Sequence, residues 1–205
     1  MSTTTEKVIT PEVIDDAFTY RQYRELINKL LERDRTTGDN HSEEIIDYTR
    51  MNVQRMNRLD KQVTLKDSLE EKLESLDEEW IWLVLTEGWC GDAAQNIPGI
   101  NKMAETTSNV ELKLILRDEN PEIMDEYLTD GSRSIPKLVC LDAETLEEIG
   151  TWGPRPASIQ KKAMQWKDDP ELSKEEWAEK LHKLYAENKT QDLQEEFEEL
   201  IEQWK

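Results

Sequence analysis

The sequence predicts an α/β fold: a central mixed sheet of about four strands flanked by helices, with extra helices at both ends of the chain. Three observations predict it. Apolar runs too short for helices of their own recur in the middle of the chain, at 80–85, 110–116 and 138–141. Segments with helical hydrophobic spacing precede, separate and follow them. The runs at 138–141 and 146–152 lie so close together that they must join as an antiparallel hairpin.

The elements follow in order. Thr10-Pro11 reads as an N-cap and first helical position, and Ile14, Phe18, Leu26, Ile27, Leu30 and Leu31 recur at helical spacing before Gly38, giving one helix over 11–35. A second helix spans 42–61, with Ile45, Tyr48, Met51, Arg55 and Leu59 near one side. Thr64 and Asp67 form a capping-box-like pair ahead of Leu65, Leu69, Leu73 and Leu76. The run 80–85, aromatic and β-branched between acidic flanks, reads as a buried strand that takes Trp80 and Trp82 into the core. A helix over 93–107 follows, kinked at Pro98. Next come a strand at 110–116, a short helix from Asn120-Pro121 to Leu128, and the hairpin with its turn at 142–145. Gly153-Pro154-Arg155-Pro156 breaks the pattern before a helix over 157–166, and Asp168-Asp169-Pro170 breaks it again. From Ser173 onward, Trp177, Leu181, Leu184 and Tyr185, then Leu193, Phe197, Leu200, Ile201 and Trp204, make an amphipathic helix or helix pair. The expected organisation is a single domain over 1–205: a helical N-terminal extension at 10–77, an α/β core at 78–165 and a C-terminal helical extension at 166–205.

Composition excludes several function classes. With 26 Lys and Arg against 46 Asp and Glu, the formal charge is −20, which disfavours phosphate backbones and anionic lipid, so neither nucleic acid nor membrane is expected as a partner. Met1–5 carries neither a basic nor an apolar leader pattern and no run approaches a transmembrane span, so a soluble, cytoplasmic protein is expected. Two cysteines, Cys90 and Cys140, make no disulfide framework, and two histidines make no zinc pattern; no metal and no cofactor is expected.

Chemistry concentrates in Glu87-Gly88-Trp89-Cys90-Gly91-Asp92-Ala93, where a strand pattern gives way to a helix pattern. Unpaired N–H groups and the helix dipole at such a junction favour thiolate, which makes Cys90 the candidate nucleophile. Asp92 opposes this by like-charge repulsion, so a modest net shift is expected; it also reads simply as a first-turn helix acid. The competing reading of Cys90 is an inert thiol on a decayed loop. Trp89 covers the thiol, contacts substrate or packs; Cys140 reads as a buried core thiol too distant to bridge to Cys90. Arg50, Arg55, Arg58 and Lys61 read as a solvated helix face, with reception of a small carboxylate at the Cys90 turn as the alternative. Arg155 is a second rim candidate. His41 in a loop and His182 on a surface helix have no evident catalytic partner, and the acidic run 195–202 reads as the wet side of a helix whose apolar side could receive a partner.

The middle of the chain resembles the thioredoxin family. Trp89-Cys90-Gly91 resembles the start of its Trp-Cys-Gly-Pro-Cys site, Asp118-Glu119-Asn120-Pro121 the segment after the next strand, Arg133-Ser134-Ile135-Pro136 the stretch that carries its cis-proline, and Gly153 a later glycine. The resemblance covers 78–165. It implies that Ile135 and Pro136 sit beside Cys90 and offer a strand-like docking edge, with Trp89, Gly91 and Asp92 completing the substrate-binding surface and the N–H groups after Cys90 stabilising the thiolate. Ala93 replaces the second cysteine, Asp92 the proline, and Val84 a buried carboxylate, so no dithiol cycle can run. The expected activity is monothiol exchange, with protein disulfides or low-molecular-weight thiols as partners and the oligomeric state open. Cys-Gly-Asp-Ala also resembles, more distantly, the Cys-Gly-x-Ser loop of monothiol glutaredoxins, which can hold an iron–sulfur cluster. The alternative from another class is a non-catalytic interaction module on the same fold.

Overall fold

The run from Trp80 to Thr86 is apolar without alternation because it becomes β1 (Trp80–Thr86), the strand next to the centre of the sheet, in which every residue is buried. The computed structural model describes residues 7–205, and the reading of residues 1–5 as lacking a leader lies outside them. The sheet order is β2-β1-β3-β4, with β2 at Val110–Leu116, β3 at Lys137–Asp142 and β4 at Glu148–Trp152. β1 and β2 run parallel, from Trp80 opposite Val110 to Thr86 opposite Leu116. β3 lies antiparallel to β1, with Val84 opposite Leu138, and β3 and β4 form the hairpin. The fold is therefore α/β, a mixed four-stranded sheet flanked by helices.

The helical beginning differs from the single helix expected over 11–35. α1 (Pro11–Asp16) and α2 (Tyr20–Leu31) are separated by a strand-like step in which Phe18 bridges Leu114, exchanging N–H···O bonds of 2.8 Å in both directions. This step covers the open edge of β2, and Thr19 then starts α2 with a capping box to Gln22. Hydrophobic spacing continues across the break because both helices bury the same kind of side chain, so periodicity alone does not register it.

α3 (Glu43–Gln62) buries Ile46, Thr49, Asn52, Met56 and Leu59, a face displaced from the Ile45, Tyr48, Met51 and Arg55 stripe expected. Two of the buried residues are polar and satisfied: Thr49 bonds Thr36 at 2.7 Å and Asn52 donates to the Gly88 carbonyl at 3.0 Å. A pattern read from apolar residues misses them. The Thr64–Asp67 capping box also does not form; Lys66 is the N-cap of α4 (Asp67–Glu74), without a side-chain cap. Instead Gln194 accepts from the Lys66 N–H at 2.8 Å and donates to the Thr64 carbonyl at 3.1 Å. The helix start is held from the far end of the chain.

α5 (Gly91–Ala104) begins at the cysteine and continues through Pro98, packed against α3. α6 (Pro121–Glu126) is shorter than expected. α7 (Ala157–Lys167) and α8 (Lys174–Asn188) share a small core of Ile159, Ala163, Leu181 and Tyr185, apart from the main one. α9 (Gln191–Trp204) enters the main core: Phe197 meets Trp82 and Trp152 at ring-centroid distances of 5.2 and 5.4 Å, and Trp204 meets Trp80 at 6.1 Å. The apolar side of α9 is thus internal, which corrects the reading of it as a partner surface. Among the described residues no helix is long and apolar enough to cross a membrane.

Candidate thiol site

The turn from β1 into α5 is fixed by its backbone. Asn52 binds the Gly88 carbonyl, and the Gly88 N–H donates to Thr37 Oγ1 at 2.8 Å. Glu87 is fully buried, accepts the Asp118 N–H at 2.9 Å, and has its carboxyl pushed upward by burial. The Cys90 N–H closes the turn onto the Glu87 carbonyl at 3.0 Å.

Cys90 is the N-cap of α5, in extended backbone geometry. Its Sγ accepts the Ala93 N–H at 3.4 Å, and its thiol donates to the Ile135 carbonyl at 3.3 Å. The Ile135–Pro136 peptide is cis, and Pro136 is buried with Ile135. Gly153, at φ +115°, backs this segment: a Cβ there would lie 2.2 Å from the Pro136 carbonyl oxygen, so only glycine allows the approach.

Electrostatics depart from expectation. Cys90 is only 7% exposed, and burial, followed by the Asp92 carboxylate, pushes its thiol up to about 12. The N–H groups of Ala93 and Asp92 and the Arg155 cation pull the other way and lose. The expected modest shift came from setting dipole against Asp92; the tertiary packing adds a desolvation cost that outweighs both. Cys140 is fully buried and likewise raised to about 12 by burial. Both thiols are free.

Asp92 is more than a first-turn acid. Arg155 grips it bidentately at 2.8 and 2.6 Å, Tyr185 donates to it at 2.8 Å, and Asn96 donates to the Tyr185 hydroxyl at 3.1 Å. Arg155 and Asp92 are both largely shielded from solvent. The link ties α5, the Gly153–Pro156 turn and α8 together over the thiol. Trp89 is half-buried with the Arg117 guanidinium 4.8 Å from its ring centroid.

The surface reading of His182 is also overturned. Its imidazole is driven down to about 4 by burial and by Arg55, with Nδ1 3.4 Å from Gln95 Nε2. A Cβ on Gly91 would come within 2.9 Å of its ring. The basic run divides: Arg50 pairs with Asp34 and Asp47 at 2.8 Å, whereas Arg55 reaches toward Gly91. His41 accepts from Arg35, away from the thiol. Sequence reasoning missed His182 and Tyr185; their spacing of three residues on one helix face is the only signal, and it does not say what that face covers.

Beside the thiol turn lies a cavity of about 600 Å³, walled by Tyr48, Trp89, Trp166, Trp177, Leu181 and His182 and floored by Gly91 and Asp92. Among the described residues no group of three or more His, Cys, Asp or Glu side chains is placed to hold a metal ion.

Comparison with known proteins agrees with this geometry. No curated protein matches the chain. Among solved structures, an HIV epitope-scaffold superposes with a TM-score of 0.52 at 17% identity, over 90% of this chain and 98% of its own. A protein of unknown function from Pseudomonas aeruginosa gives 0.51 at 17% identity, over 91% and 95%. At such identity these show a shared fold alone. The thioredoxin family profile matches residues 38–169, from ahead of α3 to just past α7, and with the cysteine at the β1–α5 junction facing the Ile135–Pro136 segment, the chain belongs to the thioredoxin family.

Proposed function

We propose that the protein is a monothiol thiol–disulfide exchange protein, with Cys90 as nucleophile and protein disulfides or low-molecular-weight disulfides and thiols as partners. One observation carries this reading: Sγ sits between an N–H donor, Ala93, and a carbonyl acceptor, Ile135, on an exchange-family scaffold. In the resting state the thiol keeps its proton at neutral pH. An extended substrate that donates its own N–H to the Ile135 carbonyl competes with the thiol for that acceptor, leaving Sγ facing N–H donors and favouring thiolate. The thiolate then attacks one sulfur of the substrate disulfide, forming a Cys90 mixed disulfide and expelling the other sulfur as thiolate. With Ala93 in place of a second cysteine, an external thiol attacks the substrate's sulfur, carries it off as a new disulfide and returns Cys90 reduced. Trp89, Gly91, Asp92, Ile135 and Pro136 line the approach, and the activity fits redox homeostasis in the cytoplasm.

The test is the rate of Cys90 alkylation against pH, beside Cys90→Ser, with mass spectrometry of the conjugate formed with a disulfide-containing peptide. Trapped conjugate at Cys90, cleared only by added reductant, supports exchange. A second reading, a non-catalytic interaction module, is favoured by the 7% exposure of Cys90 and its raised pKa. Absence of conjugate over hours at pH 8 would overturn the exchange reading.

A further inference from the structure

We infer that the cavity beside Cys90 binds a small aromatic carboxylate, its ring between the indoles of Trp89, Trp166 and Trp177 and its anionic head at Arg55. A volume of about 600 Å³ is that of a small-molecule pocket, and its walls are chiefly aromatic and aliphatic. Flat rings suit such walls because stacked and edge-to-face contacts add to simple burial. The sign of the head group follows from the cations. Arg55 is half-buried, its Nη1 bonds the neutral Asn52 amide at 2.7 Å, and among the described residues no carboxylate lies within ion-pairing distance of it. Arg55 is not itself in the cavity wall, but its Nη1 would lie 3.7 Å from a Cβ on Gly91, which is. Lys167 and Lys174 also line it, and among the described residues neither has a carboxylate partner. In a chain with 46 acidic side chains, two lysines in the wall and Arg55 beside it, all without ion pairs, call for an anion from outside. The one carboxylate in the wall, Asp92, is hydrogen-bonded by Arg155 and Tyr185, and reaches Arg55 only through space, without an ion pair. Distant acids count little, because screening at physiological salt acts over about 8 Å.

The inference goes beyond the exchange reading by assigning a ligand to the cavity beside the same thiol; binding itself needs no reaction at Cys90. The experiment is calorimetric titration of the full-length Cys90→Ser protein with 2-naphthoate and with uncharged 2-naphthamide at pH 7.5. Naphthoate saturates one site with a Kd on the order of 100 μM, within reach of so small a ligand, and the amide binds roughly tenfold more weakly. Arg55→Gln brings naphthoate down to the affinity of the amide, and Arg55→Lys, which keeps the charge, recovers part of the difference. Trp177→Ala weakens both ligands, and undiminished amide binding by Arg55→Gln guards against misfolding at Arg55 as the cause. Equal affinity for acid and amide, or Arg55→Gln binding naphthoate as the parent does, overturns the inference, as does absence of saturation below 5 mM of ligand, on the order of fifty times the expected Kd. Such failure leaves exchange at Cys90 standing, while an inert Cys90 with intact naphthoate binding sinks the exchange reading alone.

Discussion

At the residue scale, burial has taken command of Cys90. A cysteine capping a helix should lose its proton easily, yet desolvation and Asp92 together outweigh the N–H groups that receive its sulfur. The alkylation rate of the folded protein should therefore rise with pH toward a midpoint near 12, whereas the urea-unfolded chain titrates near the ordinary thiol value of about 8.5. A folded midpoint at or below the unfolded one would contradict this. Because the folded pKa is the higher, the stabilisation is complete below about 8.5 and is lost as pH climbs toward 12; Cys140 contributes with the same sign. Asp92→Asn removes the like charge and frees Arg155, so its midpoint falls, each unit giving about tenfold faster alkylation at fixed pH. His182 runs in the opposite direction. Its folded pKa near 4 lies below the unfolded value of about 6.5, so its share of stability is present above 6.5 and lost as pH falls through 4. Urea midpoints between pH 7 and 4 should fall more steeply for the parent than for His182→Gln, and parallel slopes would count against a half-buried neutral imidazole.

At the element scale, α9 holds the sheet. Phe197 is fully buried among Trp82, Trp152 and Trp204, and the helix also supplies Gln194 to the start of α4. Phe197→Ala should cost about 3–5 kcal/mol by urea denaturation, from lost transfer free energy plus the cavity left behind. A loss below about 1 kcal/mol would mean that α9 is peripheral. Gly153 sets the other constraint: Gly153→Ala combines a backbone conformation that L residues avoid with a clash on the Pro136 carbonyl, and should lower stability while displacing the Ile135 segment from Cys90. The alkylation rate reports that displacement by rising.

At the scale of the whole molecule, α7 and α8 stand partly apart. Their small core is separate from the main one, and Lys189 and Thr190, both at positive φ, turn the chain from α8 into α9. The Asp92–Arg155–Tyr185 link fastens α8 to the thiol turn, beside the Asn96–Tyr185 and Gln95–His182 contacts. Native-state hydrogen exchange should show α8 amides opening at lower free energy than those of β1 and β3. Tyr185→Phe, which removes the hydrogen bond to the charged Asp92 and the one accepted from Asn96, should lower the α8 opening free energy by about 1.5–3 kcal/mol and leave β1 nearly unchanged. Exchange of α8 only through global unfolding would disprove this partition.

The order of the strands and of the helices between them, the hairpin, the core roles of Trp80 and Trp82 and the position of Cys90 at a strand-to-helix junction were determined by sequence alone, because each depends on local periodicity, apolar run length and turn chemistry. Tertiary structure decided the rest. The break at Phe18, the polar inner face of α3 and the tertiary cap from Gln194 all satisfy backbone groups with distant partners, which leave no periodic trace. So too the protonation of Cys90, the partial burial of His182 and the gathering of Arg55, Asp92, Arg155 and Tyr185: charge and acidity depend on what surrounds a group in space, and residues 55, 92, 155, 182 and 185 meet only once the chain has folded.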